Sequence, residues 1–223
     1  MSLRDKNLVC NEYYHIYNRG NGKHEIFINE EDYNRFEKLL YICNSENKFV
    51  FRDSIIDHKI DAYDFEVGNP LVSIVAWVLM PNHFHIVLIS HRSDLWGKGI
   101  NPITEFMRKL STAYAMYFNK KNKRTGGLFE GAFKSRYIGE ENYFNYIFSY
   151  IHLNPIKLIQ KDWKEKGILD KKGAREFLKE YKFSSLKDYS GLKRKQEKII
   201  NKKDVPDYFL CIHTEDLFKW IDS

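Results

Sequence analysis

The stretch Met80-Pro81-Asn82-His83-Phe84-His85-Ile86-Val87-Leu88 decides how the rest of the chain is read. From Phe84 it is a run of β-favouring apolar residues, and the preceding run, 71–79, has the same character. Pro81 cannot donate to a strand ladder and so marks a break, and the two runs are expected to be neighbouring central strands. Side chains alternate across a strand, which sets His83 and His85 on one face, close enough to hold a single metal ion. Taken alone, a His-x-His is a weak signal, because an imidazole at a sheet end is more often only hydrogen-bonded.

Working outward, residues 12–18 are rich in Tyr and Ile and end at Arg19-Gly20-Asn21-Gly22, a strand and its exit turn. Asn29 is placed to cap a helix over 30–43, where Tyr33, Phe36, Leu39 and Leu40 recur at helical spacing. Residues 44–70 show no clean period and read as an insertion. Ile103, Phe106, Met107, Leu110, Tyr114 and Phe118 define a long amphipathic helix, followed by a basic, glycine-containing loop and a short strand over 133–138. Residues 141–153 form a further helix, with Phe144, Ile147, Phe148 and Ile151 as its core stripe and Tyr143, Tyr146 and Tyr150 on a neighbouring face. Asn154 lies four residues beyond Tyr150, so phenol and amide can reach a common point, although Pro155 disfavours helical geometry there.

The chain has 223 residues and a formal net charge of +6, with aromatic residues making up 16% of it. Basic groups attract a polyanion and flat rings stack on unpaired bases, so nucleic acid suits the composition, as does a plain, slightly basic surface. Cys10, Cys43 and Cys211 are odd in number and lack Cys-x-x-Cys spacing, which favours a reducing, cytoplasmic setting over a disulfide framework or thiolate zinc site. The first residues lack the apolar core of a signal peptide, and the run 71–80 is too short to span a bilayer. Beyond Gln160 charge density rises through Lys193, Arg194, Lys195, Lys198, Lys202 and Lys203 towards a last helix expected over 214–221. The fold class expected is α+β: an antiparallel sheet with helices packed on one face, plus a helical C-terminal extension.

Five ordered blocks carry a resemblance across residues 9–159. They are Tyr14-His15-Ile16-Tyr17-Asn18-Arg19-Gly20-Asn21, Leu79-Met80-Pro81-Asn82-His83-Phe84-His85, Tyr117-Phe118-Asn119-Lys120, Thr125-Gly126-Gly127-Leu128-Phe129-Glu130-Gly131 and Tyr150-Ile151-His152-Leu153-Asn154-Pro155. Together they resemble the HUH-type single-tyrosine transposases, in particular the branch associated with repetitive extragenic palindromes. The resemblance implies a ferredoxin-like or RRM-like sheet over 9–159, with 44–70 inserted and 160–223 as a basic extension. It implies that His83, His85 and Asn154 hold a divalent metal, Mg²⁺ or Mn²⁺, and that Tyr150 attacks a DNA phosphodiester, leaving a 5′-phosphotyrosine. The implied partner is single-stranded or hairpin DNA; monomer and homodimer both stay open.

Several positions need separate weighing. Tyr146, one turn before Tyr150, is the alternative nucleophile, and His15 and His152 are read as core or surface residues. Arg19, Lys134 and Arg136 are candidates for positioning phosphates, each with ordinary surface exposure as the plain alternative. Phe129 stands where the family commonly has tryptophan, and Ala132 where it commonly has a basic residue, so DNA contacts near that loop should differ. A non-catalytic single-stranded nucleic-acid binder and a metal-dependent nuclease using water are the competing functions.

Overall fold

The computed structural model describes residues 8–47, 55–210 and 216–219. Four strands, β1 (Tyr13–Arg19), β2 (Ser73–Met80), β3 (His83–Ile89) and β4 (Lys134–Ile138), form one antiparallel sheet in the order β2-β3-β1-β4. Helix α1 (Glu30–Ile42) connects β1 to β2, and α2 (Ser93–Trp96) and α3 (Pro102–Lys121) connect β3 to β4. This βαββαβ order, with the first and third strands central, is the ferredoxin-like arrangement expected.

The helix starts follow from their caps. The Asn29 side chain accepts from the Asp32 amide while the Asp32 carboxylate accepts from the Asn29 amide, closing a capping box on α1. Asn101 accepts from the Thr104 amide at 2.9 Å, and Pro102 occupies the first turn of α3, where its missing N–H is not needed. The apolar stripes of α1 and α3 meet one sheet face in a core containing Phe36, Leu40, Phe106, Tyr114, Ile16, Trp77, Phe84 and Ile86.

The expectation of helices on one face holds for α1 and α3 and is extended by a second layer. Helix α4 (Glu141–Leu153) and part of the C-terminal extension pack on the opposite face, with Phe148, Ile151, Trp163 and Phe209 buried against Val75, Val78 and Val87. The extension holds α5 (Trp163–Lys166), α6 (Lys171–Glu180), α7 (Leu186–Tyr189) and short 3-10 turns. Of the last helix expected over 214–221, only residues 216–219 lie among the described residues, and these are helical.

One expectation is corrected: β3 is central, but β2 is an edge strand. All eight β2 residues are nevertheless buried, because the extension runs along the edge. Leu79 donates its amide to Phe183 O and Asn201 its amide to Ile74 O, while Ser185 donates to Trp77 O. Arg194 ties this segment down through a two-pronged ion pair with the fully buried Asp188 carboxylate. A covered edge carries the same all-apolar sequence as a central strand, so the run alone could not tell them apart.

Within the insertion, 48–54 lies outside the described residues; 55–70 folds over α1 through Ile55 and Ala62. Lys195 pairs with Asp61 and the Lys198 ammonium donates to Tyr63 O, joining insertion to extension. Cys43 is buried as a free thiol, Cys10 is also free, and Cys211 lies outside the described residues. Among the described residues, no helix is long and apolar enough to cross a membrane.

Candidate functional site

The strand register builds the site. Met80 and His83 face each other across the two-residue turn Pro81-Asn82, and His83 lies opposite Arg19, His85 opposite Tyr17, and Tyr17 opposite Lys134. Cross-strand partners share a face, so His83, His85, His15, Tyr17, Arg19, Lys134 and Arg136 all project towards the α4 side of the sheet. The turn is anchored by its own carbonyls: Pro81 O accepts from the Ile26 and Phe27 amides, and Asn82 O from Gly20 N. Gly20 is required there, because a Cβ at that position would collide with the His24 carbonyl oxygen.

His83 Nδ1 lies 2.6 Å from Asn82 Oδ1, an acceptor, which places the proton on Nδ1 and leaves the Nε2 lone pair available. His85 Nδ1 lies 2.8 Å from His15 Nε2, and with His85 as donor its Nε2 is likewise available. The two imidazoles meet edge to face, with ring centroids 5.1 Å apart. Burial, followed by nearby positive charge, pulls His83 down to about 4 and His15 to about 3, and His85 well below the usual imidazole value. All three are therefore neutral at pH 7, the form that ligates a metal.

Helix α4 brings the tyrosine. The Tyr150 ring meets His85 at 5.6 Å between centroids and 75° between planes. Burial pushes its phenol up to about 12, against an opposing pull from the Asn154 side chain, which also acts on His83. Asn154 is itself 2% exposed, and its Oδ1 is buried with no hydrogen-bond partner. A buried carbonyl oxygen without a partner is costly unless something fills that role. Two neutral imidazole nitrogens and one unpartnered amide oxygen fit a divalent cation with open positions, and the mixed N/O set suits Mn²⁺ or Mg²⁺ chemically. Among the described residues there is no cluster of three or more His, Cys, Asp or Glu that could hold a metal.

Beside the imidazoles opens a cleft of about 440 Å³ lined by Tyr17, Arg19, Lys23, Asn82, Lys134 and Lys157. Arg19 and Lys134, two of the candidates for positioning phosphates, line this cleft, but the Arg19 guanidinium is occupied by a two-pronged pair with Glu130. Arg136 sits apart, stacked over the Tyr143 ring at 4.9 Å. Tyr146 is 39% exposed on α4, one turn before Tyr150 and parallel to it. His152 is a core residue bonded to Ser185 Oγ, whereas His15 is part of the site.

Sequence reasoning left out Lys157, which lines the cleft, and Lys164, whose ammonium lies 3.7 Å from the Tyr150 ring centroid. Only the fold of the extension reveals Lys164. The alternation Tyr13-x-His15-x-Tyr17 on a central strand did carry a signal for His15, since its register with the histidine strand faces it inward.

No family model matches the sequence, and no curated protein matches it. A solved structure of a REP-associated tyrosine transposase bound to a REP hairpin is similar in outline, with a TM-score of 0.49 and 14% identity over 88% of this chain and 90% of that one. At that identity no residue's role passes from one chain to the other.

Proposed function

We propose that this protein cleaves and rejoins single-stranded DNA, beside a hairpin or palindrome, through a covalent 5′-phosphotyrosine on Tyr150. One observation carries the proposal. Three separate segments, β3, α4 and the turn after α4, deliver two neutral imidazoles, a phenol and an unpartnered amide oxygen to one place beside a basic cleft. Packing alone explains a buried tyrosine but not an orphaned amide oxygen beside two neutral imidazoles.

The residues divide the work. His83, His85 and Asn154 would hold a divalent cation, which when bound neutralises phosphate charge and polarises the phosphorus centre. His15 and Asn82 fix the ring orientations of His85 and His83. Tyr150 is held as a neutral phenol, so it must lose its proton as the oxygen attacks phosphorus and the 3′-oxygen departs as a hydroxyl. Lys157, at the cleft, and Lys164, over the Tyr150 ring, would supply positive charge to the phosphate under attack. The tyrosyl ester retains the phosphodiester's energy, so a free 3′-hydroxyl can reverse the step and strand transfer needs no nucleotide cofactor. Arg19, Lys134 and Arg136 would contact the DNA backbone.

A labelled hairpin oligonucleotide with Mn²⁺ on a denaturing gel tests this. A covalent protein–DNA band in the wild-type lane supports the proposal. Free cleaved ends without that band would show a nuclease using water, and a shift seen only on native gels would show a non-catalytic binder.

A further inference from the structure

The face of α4 that holds Tyr150 continues outward as a ladder of rings. Tyr143 and Tyr146 lie 6.4 Å apart between centroids with planes 15° from parallel, and Tyr146 and Tyr150 lie 6.3 Å apart with planes 3° from parallel. A cation closes each end: the Arg136 guanidinium lies over Tyr143 at 4.9 Å, and the Lys164 ammonium over Tyr150 at 3.7 Å. The other face of the helix is fully committed to the core through Phe144, Ile147, Phe148 and Ile151. Tyr146, in the middle of the ladder, stays 39% exposed.

What sets Tyr146 apart from other exposed apolar residues is its place in a row of near-parallel rings with a cation at each end. Near-parallel planes flanked by positive charge are what a single nucleic-acid strand needs: flat surfaces for its bases and cations for its phosphates. The dimensions agree. From Tyr143 to Tyr150 the helix advances about 10 Å, the length of about three stacked nucleotides at about 3.4 Å each.

We infer that Tyr143 and Tyr146 form a stacking platform for the unpaired bases next to the phosphate that Tyr150 attacks, with Arg136 and Lys164 contacting the strand's backbone at either end. The inference rests on the proposed function for the meaning of Tyr150, but the platform itself is a binding site for unpaired nucleotides and needs no metal. Because every base has a π-face, it holds a strand without reading its sequence. It fixes how the strand runs past the nucleophile and leaves any sequence preference to other contacts.

The test uses the full chain with a chelator present and an unpaired oligothymidylate carrying one 5-iododeoxyuridine. Irradiation should crosslink the iodinated base to the α4 peptide bearing Tyr143 and Tyr146, as mapped by mass spectrometry. Tyr146→Ala should weaken binding of the oligomer by about tenfold and remove the crosslink, while Tyr146→Phe, which keeps the ring, should retain both. Crosslinks confined to other segments, or a Tyr146→Ala protein that binds like wild type, would overturn the inference. Because no metal is present, the result separates from that of the proposed reaction. A crosslink on α4 without covalent adducts in Mn²⁺ would refute strand transfer and keep the platform, and adducts without the crosslink would do the reverse.

Discussion

The Nε2 atom of His15 lies 2.8 Å from the Nδ1 atom of His85, in a buried contact between the two central strands. This contact makes His15 the residue that orients a proposed ligand, and its loss should be felt at the metal more than in the fold. His15→Phe should lower Mn²⁺ affinity by roughly 10- to 100-fold, the usual effect of removing such a partner. Titration calorimetry of both proteins checks this. Equal affinities would assign His15 to packing alone.

Glu130 holds Arg19 at the mouth of the cleft in an exposed ion pair. Such solvent-exposed pairs add little to stability, so Glu130→Gln should leave unfolding nearly unchanged. It should release the guanidinium to a phosphate, strengthening DNA binding and steepening its salt dependence by about one counterion. Binding isotherms over a range of salt concentrations give the slope. An unchanged slope would show that Arg19 does not contact DNA.

Arg194 spans the buried Asp188 carboxylate and the carbonyls of Lys182 and Ser184, locking the extension over the β2 edge. Arg194→Ala strands a buried carboxylate and should cost about 3 kcal/mol. Urea unfolding measures it. A loss under 1 kcal/mol would mean the pair behaves like an exposed one and the edge is held by other contacts.

Burial pushes the Glu37 carboxyl from an ordinary 4.5 up to about 7, against smaller opposing contributions from Gln196 and Arg194. The folded state therefore binds this proton more tightly than the unfolded state does. The group's contribution to stability is greatest below pH 4.5, falls as pH rises to about 7, and is constant above that. Glu37→Gln removes this dependence, so the variant should gain about 2 kcal/mol relative to wild type between pH 5 and pH 8. Parallel stability curves at the two pH values would contradict the assignment.

Much of the fold was legible because its elements carry strong local signals: the Asn29 cap, the three-and-four stripe of the long helix, and the alternation that put His83 and His85 on one face. The edge position of β2 was not, because the segment that covers it begins about a hundred residues later and meets the strand through main-chain bonds and through the side chains of Tyr181, Ser185 and Tyr189, whose spacing carries no recognisable pattern. The candidate site divides the same way. His83, His85, Tyr150 and Asn154 were nominated from short motifs, whereas Lys157 and Lys164 enter through tertiary packing, and His15 was read as core or surface although its alternation with Tyr13 and Tyr17 set it on the face of the paired histidines.

The account stands on Tyr150 as the nucleophile that takes the DNA phosphoryl group, and tandem mass spectrometry tests that most directly. Wild-type protein incubated with Mn²⁺ and a hairpin oligonucleotide, then digested with nuclease and protease, should yield a nucleotide phosphate on the peptide containing Tyr150, with Tyr150→Phe yielding none. A phosphonucleotide on Tyr146, or on any other residue with Tyr150 unmodified, would contradict it.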